Sequence, residues 1–127
     1  IAIVEVFWAQ LGPLRREAFD VKSVLGIGDD DDGMPVPPAG GTPQTLHGRN
    51  LAFFDDLLAR ARKHTRRAVM PLTDRGLDHC IERPGKDGVQ RIINVRWVLY
   101  HVLEHQAGHY GQINMLRHLR RVMTEKA

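Results

Sequence analysis

One apolar spacing runs without a break through residues 95–116. Val95, Val98, Val102, His105, His109, Gln112 and Leu116 follow a 3-4-3-4 rhythm, which is the period of a helix face buried against other helices. Asn94 stands just ahead as an N-cap, its side chain suited to a free amide of the first turn. The spacing predicts a helix from Val95 to about Met123, with its seam turned into a bundle core.

Two members of that seam are histidines. His105 and His109 occupy positions where Leu or Ile would be expected, and His101 precedes them by four residues. On a 3.6-residue period His101 lies about 40° round from His105, at the edge of the seam. An imidazole in a core lowers stability unless its nitrogens are satisfied. Spacing of i and i+4 lets two neutral imidazoles share one ion, and imidazole suits Zn, Ni, Cu and Fe. Metal ligation by His105 and His109 is the favoured reading; a structural polar cluster is the other. The pair supplies two ligands, so a third must come from another helix.

The remaining chain reads as further helices and connectors. Residues 1–19 carry an inward stripe of Val4, Phe7 or Trp8, Leu11 and Leu14, and Pro13 should kink the helix or end it near Leu11. Residues 20–41 read as a long acidic loop rich in Gly and Pro, able to act as a lid. Its Asp29–Asp32 run does not make a calcium loop, because position one would be Gly28 and position twelve Ala39. Thr42 as N-cap and Pro43 as first helical residue predict a helix to about Met70, with Leu46, Asn50, Phe53, Leu57 and Ala61 on its seam and Phe54 and Leu58 widening it. His47 and His64 have no second His at ligand spacing, and we read them as surface or edge residues. A short turn is expected around Asp74–Asp78, then a small hairpin pairing Ile81-Glu82 with Val89–Ile93. Gly108 and Gly111, which weaken the last helix by roughly 1 kcal/mol each, imply close approach by a neighbour or room for a ligand.

The 127 residues form one domain, 1–127, with a composition 43% hydrophobic and 26% charged, as in soluble proteins. No apolar run reaches the length of a membrane span, and no signal-peptide pattern opens the chain. The single Cys80 cannot form an intrachain disulfide, which fits the cytoplasm, and an ordinary thiol is favoured over a nucleophile. The net charge of +3 comes with basic clusters at Arg60, Arg62, Lys63, Arg66 and Arg67 and at Arg117, His118, Arg120 and Arg121. No nucleic-acid-binding motif accompanies them, so a solvated helical face outweighs a nucleic-acid partner.

The run Val-Arg-Trp-Val-Leu-Tyr-His-Val-Leu-Glu-His-Gln-Ala-Gly-His-Tyr-Gly-Gln-Ile at residues 95–113 resembles the last helix of the DinB/YfiT-like superfamily, in particular its mycothiol-dependent branch. The likeness is specific in this helix and weaker, though in order, over the rest, including Leu72-Thr73-Asp74 and Leu77-Asp78. It implies an all-α, up-down four-helix bundle, of which three long helices lie in this chain. It also implies a three-histidine site for a divalent metal, Zn or Ni, with two ligands mapping onto His105 and His109. The third implied ligand belongs to the family's second helix, which resembles residues 1–8. That places it just ahead of Ile1, with the family's first helix earlier still.

A site with three protein ligands leaves positions open for water or substrate. A metal there lowers the pKa of a bound thiol. The resemblance therefore implies a metal-dependent enzyme acting on a small-molecule substrate, an S-transferase or isomerase using a low-molecular-weight thiol, mycothiol or bacillithiol. It further implies a homodimer. The competing reading is a non-catalytic metal-binding or dimerisation bundle. Arg96 and Arg49 are candidates to hold a substrate carboxylate, Glu5 to orient a histidine, and Gln112 to contact substrate or close a core hydrogen bond. Glu104 falls about 100° off the seam, and Tyr100 and Tyr110 offer phenols with nothing that selects them.

Overall fold

The structure, a computed structural model, describes residues 1–28, 31, 43–85 and 87–125. Its elements in chain order are helices α1 (Ala2–Leu11) and α2 (Val21–Leu25), a 3-10 turn (Gln44–Leu46), helices α3 (Leu51–Val69) and α4 (Asp74–Leu77), strands β1 (Cys80–Pro84) and β2 (Gln90–Asn94), and helix α5 (Val95–Glu125). Helix α1 lies against both α3 and α5, and α2 closes the end between α1 and α3. The core is Val6, Val21, Leu25, Ile27, Leu46, Leu57 and Ala61, with Phe7 and Phe53 against it. Among the described residues no helix is long and apolar enough to cross a membrane.

Helices α1, α3 and α5 form the body of the fold, and a two-stranded sheet is added to it, so the fold is mostly helical and not all-α. A fourth long bundle helix is not among the described residues. The hairpin stands where the β-branched residues and the Gly/Pro turn predict it, with Cys80 paired to Asn94 and Arg83 to Arg91.

Local chemistry sets the boundaries. Helix α1 stops at Leu11, two residues before Pro13. A side chain on Gly12 would come within 2.8 Å of Val98 Cγ1, so α1 ends pressed against α5. The buried Gln10 amide then clamps the returning chain, donating to the Asp20 carbonyl at 3.0 Å and accepting from the Asp20 amide at 2.7 Å. Asp20 caps α2 through the Ser23 amide at 2.9 Å, a helix that the reading of residues 20–41 as loop passes over. Of that stretch Asp29, Asp30 and residues 32–41 lie outside the described residues, and so does the Thr42 cap.

Helix α3 begins later than the Thr42-Pro43 signal predicts. Gly48, at φ +69°, breaks the chain after the 3-10 turn, and Asn50 supplies the working cap by accepting from the Phe53 amide at 3.0 Å. Leu46, Leu57 and Ala61 are buried as expected, whereas Phe54 is exposed and Asn50 is spent as the cap. Thr73 caps α4 and Asn94 caps α5, the latter accepting from the Trp97 amide at 2.8 Å.

The seam of α5 departs from full burial. Val95, Val98 and Val102 are buried, His105 and His109 are half-buried, and Gln112 and Leu116 are exposed. Burial along the seam thus extends to Val102 and lessens from His105 onward. On α1 itself Val6 and Ala9 are buried, not Leu11 or Leu14, because helices cover it from more than one side.

Candidate functional site

The end of the buried seam places the histidine pair where the core meets solvent. His105 Nε2 and His109 Nε2 approach to 3.2 Å, with the rings at 76° to each other. The second nitrogen of His109, Nδ1, lies 2.8 Å from Gln112 Oε1. An amide oxygen only accepts, so Nδ1 carries the hydrogen and donates. The Nε2 lone pair of His109 is thereby left free and aimed at His105, which is the tautomer a metal-ligating histidine needs. Burial lowers the pKa of His105, with smaller contributions from His109 and His101. All favour the neutral imidazole that ligates metals.

Two nitrogens 3.2 Å apart can both reach one ion at bond lengths of about 2.0–2.1 Å. The pair therefore fits two positions of a zinc-like site. Among the described residues no group of three His, Cys, Asp or Glu side chains is arranged to hold an ion. His101, predicted at the seam edge, is separate from the pair. It stacks on Trp97 with centroids 4.9 Å apart and planes at 8°, and meets the edge of Trp8 at 4.9 Å.

Several side chains weighed from the sequence are engaged elsewhere. Glu5 does not orient a histidine. Its buried carboxylate accepts from Arg62 Nε at 2.8 Å and from Gln106 Nε2 at 2.5 Å. Gln106 Oε1 in turn accepts from Arg62 at 2.5 Å, so one network ties α1, α3 and α5 together. Arg96 is held by Asp78 at 2.6 Å and Asp74 at 3.7 Å, which raises its pKa. Arg49 lies over Phe53 at 4.9 Å. His118 is exposed with Arg121 beside it at 3.5 Å. A Cβ on Gly108 or Gly111 would meet nothing within 4 Å, so no described neighbour approaches closely there. Cys80 is exposed.

Gln106 and the aromatic group of Trp8, Trp97 and His101 escape a reading by periodicity. Glu5 held one usable signal, as the only charge in helix α1, whose other residues except Gln10 are apolar. Such a charge requires a cation on a facing helix.

A family model described as mycothiol-S-transferase matches residues 1–121. The chain belongs to that family, within the DinB-like superfamily. No curated protein and no solved structure matches the chain significantly.

Proposed function

We propose that this member of the mycothiol-S-transferase family is a metal-dependent thiol S-transferase, with His105 and His109 as two ligands of one divalent ion, Zn or Ni. The observation that carries the reading is the convergence of the two Nε2 atoms, with His109 held in the ligating tautomer by Gln112.

When bound, the ion would supply Lewis acidity that lowers the pKa of a coordinated thiol. The chain's own residues fix where this happens. Gln112 orients His109, the low pKa of His105 keeps it neutral, and Val98 and Val102 exclude water from the inner side. In the transfer a sulfur–carbon bond forms to an electrophilic small molecule. The thiol loses its proton to solvent, and the leaving group departs with its electron pair. The thiol is mycothiol by family membership, and the protein acts as a cytoplasmic homodimer.

A non-catalytic reading has one observation in its favour. The 3.2 Å contact is itself within hydrogen-bond reach, so a proton on His105 Nε2 donated to His109 satisfies the pair without an ion. Full-length protein loaded with Zn or Ni, mycothiol and 1-chloro-2,4-dinitrobenzene separates the two readings. S-transfer predicts conjugate formation that His105→Ala and His109→Ala abolish and His118→Ala leaves intact. Conjugation that is absent, or indifferent to His105→Ala, supports the non-catalytic bundle.

A further inference from the structure

A second concavity opens where the hairpin crosses α1 and α5, a cleft of about 540 Å³ lined by Trp8, Trp97, His101, Arg83, Arg91 and Asp87. Its walls are flat rings. Trp97 and His101 are stacked in parallel, and Trp8 stands edge-on to both, at 5.7 Å from Trp97. Such faces suit a planar, conjugated ligand.

Its polar side is cationic by construction. Arg83 and Arg91 are direct cross-strand partners of β1 and β2. Like charges facing each other across a ladder destabilise a hairpin, and local conflicts of that kind concentrate at functional positions. Only one of the two is neutralised. Arg91 Nη2 pairs with Asp87 at 2.8 Å, and the Asp87 carboxylate also accepts from the Val89 amide at 3.2 Å. Arg83 has no carboxylate partner among the described residues, and its guanidinium lies over the Trp8 ring at 4.9 Å. Gly85 lets the turn fold this tightly, since a Cβ there would come within 2.5 Å of Asp87 Oδ1 and 2.8 Å of Arg91 Nε. Glu104 stands 3.9 Å from His101 Nδ1. The lining residues Arg83, Arg91 and Asp87 sum to one positive charge.

We propose that this cleft binds a planar aromatic or conjugated carboxylate, its ring against Trp97 and His101 and its carboxylate on Arg83. Arg83 is half-buried and pre-stacked, so it presents a guanidinium fork with little side-chain freedom left to lose. His101 precedes His105 by one helical turn, roughly 6 Å along the axis. The cleft shares helix α5 with the histidine pair through His101, and its ligand is assigned as the electrophile of S-transfer. That last assignment rests on the proposed function; the binding itself does not.

Calorimetric titration of metal-free, thiol-free full-length protein tests the binding alone. The probes are 4-nitrobenzoate, its neutral amide 4-nitrobenzamide, and the non-planar cyclohexanecarboxylate. The expected result is saturable binding of 4-nitrobenzoate, with each of the other two at least about tenfold weaker, and loss of the preference for carboxylate over amide in Arg83→Gln. Equal affinity for acid and amide in the wild-type protein overturns the proposal without any variant being needed. So does Arg83→Gln that retains the wild-type preference. Binding that succeeds while conjugation fails leaves the cleft standing and removes only its role in S-transfer.

Discussion

Arg62 on α3 donates to Glu5 on α1 from Nε at 2.8 Å and Nη2 at 3.4 Å, closing over a carboxylate that is only 2% exposed. The guanidinium itself reaches solvent, so the pair straddles the boundary of the core. Removing its cation strands a buried charge, which is worse than removing both partners. Arg62→Ala is expected to destabilise the fold by about 2 kcal/mol, while Arg62→Leu with Glu5→Leu recovers most of that loss. Urea denaturation of Arg62→Leu, Glu5→Leu and the double variant measures the coupling; additive losses would count against the pair.

The histidine pair predicts metal content residue by residue. His105→Ala and His109→Ala each remove a converging Nε2, and each should lower metal affinity by at least about a hundredfold. His101→Ala should change it far less, since that ring packs on Trp8 and Trp97. His118→Ala should not change it. The measurement is metal per protomer by elemental analysis after dialysis of full-length protein. Wild-type protein that retains no metal, or His105→Ala and His118→Ala retaining it equally, rejects the site.

Gln112 gives a finer test. Its amide oxygen fixes the His109 tautomer from 2.8 Å, and losing such an outer partner typically weakens metal binding about 10–100-fold. Gln112→Leu should show that loss without unfolding, because the residue is exposed. Gln112→Glu, which keeps an acceptor, should restore most of the affinity. Equal affinity in all three proteins would mean that the tautomer is set by something else.

How much of this is readable from sequence depends on which force sets each feature. The α5 helix with its buried Val95, Val98 and Val102, the Asn94 cap, the hairpin and the stop near Pro13 follow from local periodicity and backbone chemistry, and the structure has them. The Thr42-Pro43 signal places the start of α3 too early because two local signals compete and the left-handed Gly48 decides for the later one. Periodicity gives the direction of a face and not how deeply each position on it is covered, and His105 and His109 are only half-buried. The Trp8, Trp97 and His101 group and the Arg83 cross-strand pairing join residues from α1, the hairpin and α5, a tertiary coincidence that no spacing within one element encodes. The likeness of residues 95–113 to a family identifies the chain correctly, while the metal and its third ligand stand on the proposal.

His64 should make stability depend on pH. Burial lowers its pKa, with Arg16 and Arg67 adding to the effect, and its Nε2 is buried without a hydrogen-bond partner. The folded state then binds fewer protons than the unfolded chain as pH falls below the ordinary value of about 6.5. Stability contributed by neutral His64 is present above that value and is lost as pH drops toward the lowered one. Melting temperature should fall between about pH 7.5 and about pH 5, and His64→Gln should flatten part of that fall. An unchanged slope in the variant would exclude His64 as the source.

The far half of α5 carries the prediction about assembly. Beyond His109 the seam continues through Leu116, Leu119 and Met123, which are 61%, 49% and 72% exposed. Their spacing keeps them on the stripe that holds the histidine pair, so an apolar surface continues from the site along the helix. Apolar stripes of this kind are sites of association, and a two-fold axis would let the same stripe of a second copy cover it. Full-length protein is expected to sediment as a dimer whose fraction rises with concentration. Leu116→Glu with Met123→Glu should weaken the dimer at least about tenfold by setting like charges across the axis. Metal content per protomer should not change, because the two nitrogens proposed as ligands converge within one helix. A clean monomer at high concentration would reject the interface, and metal lost together with the dimer would instead place a ligand across it.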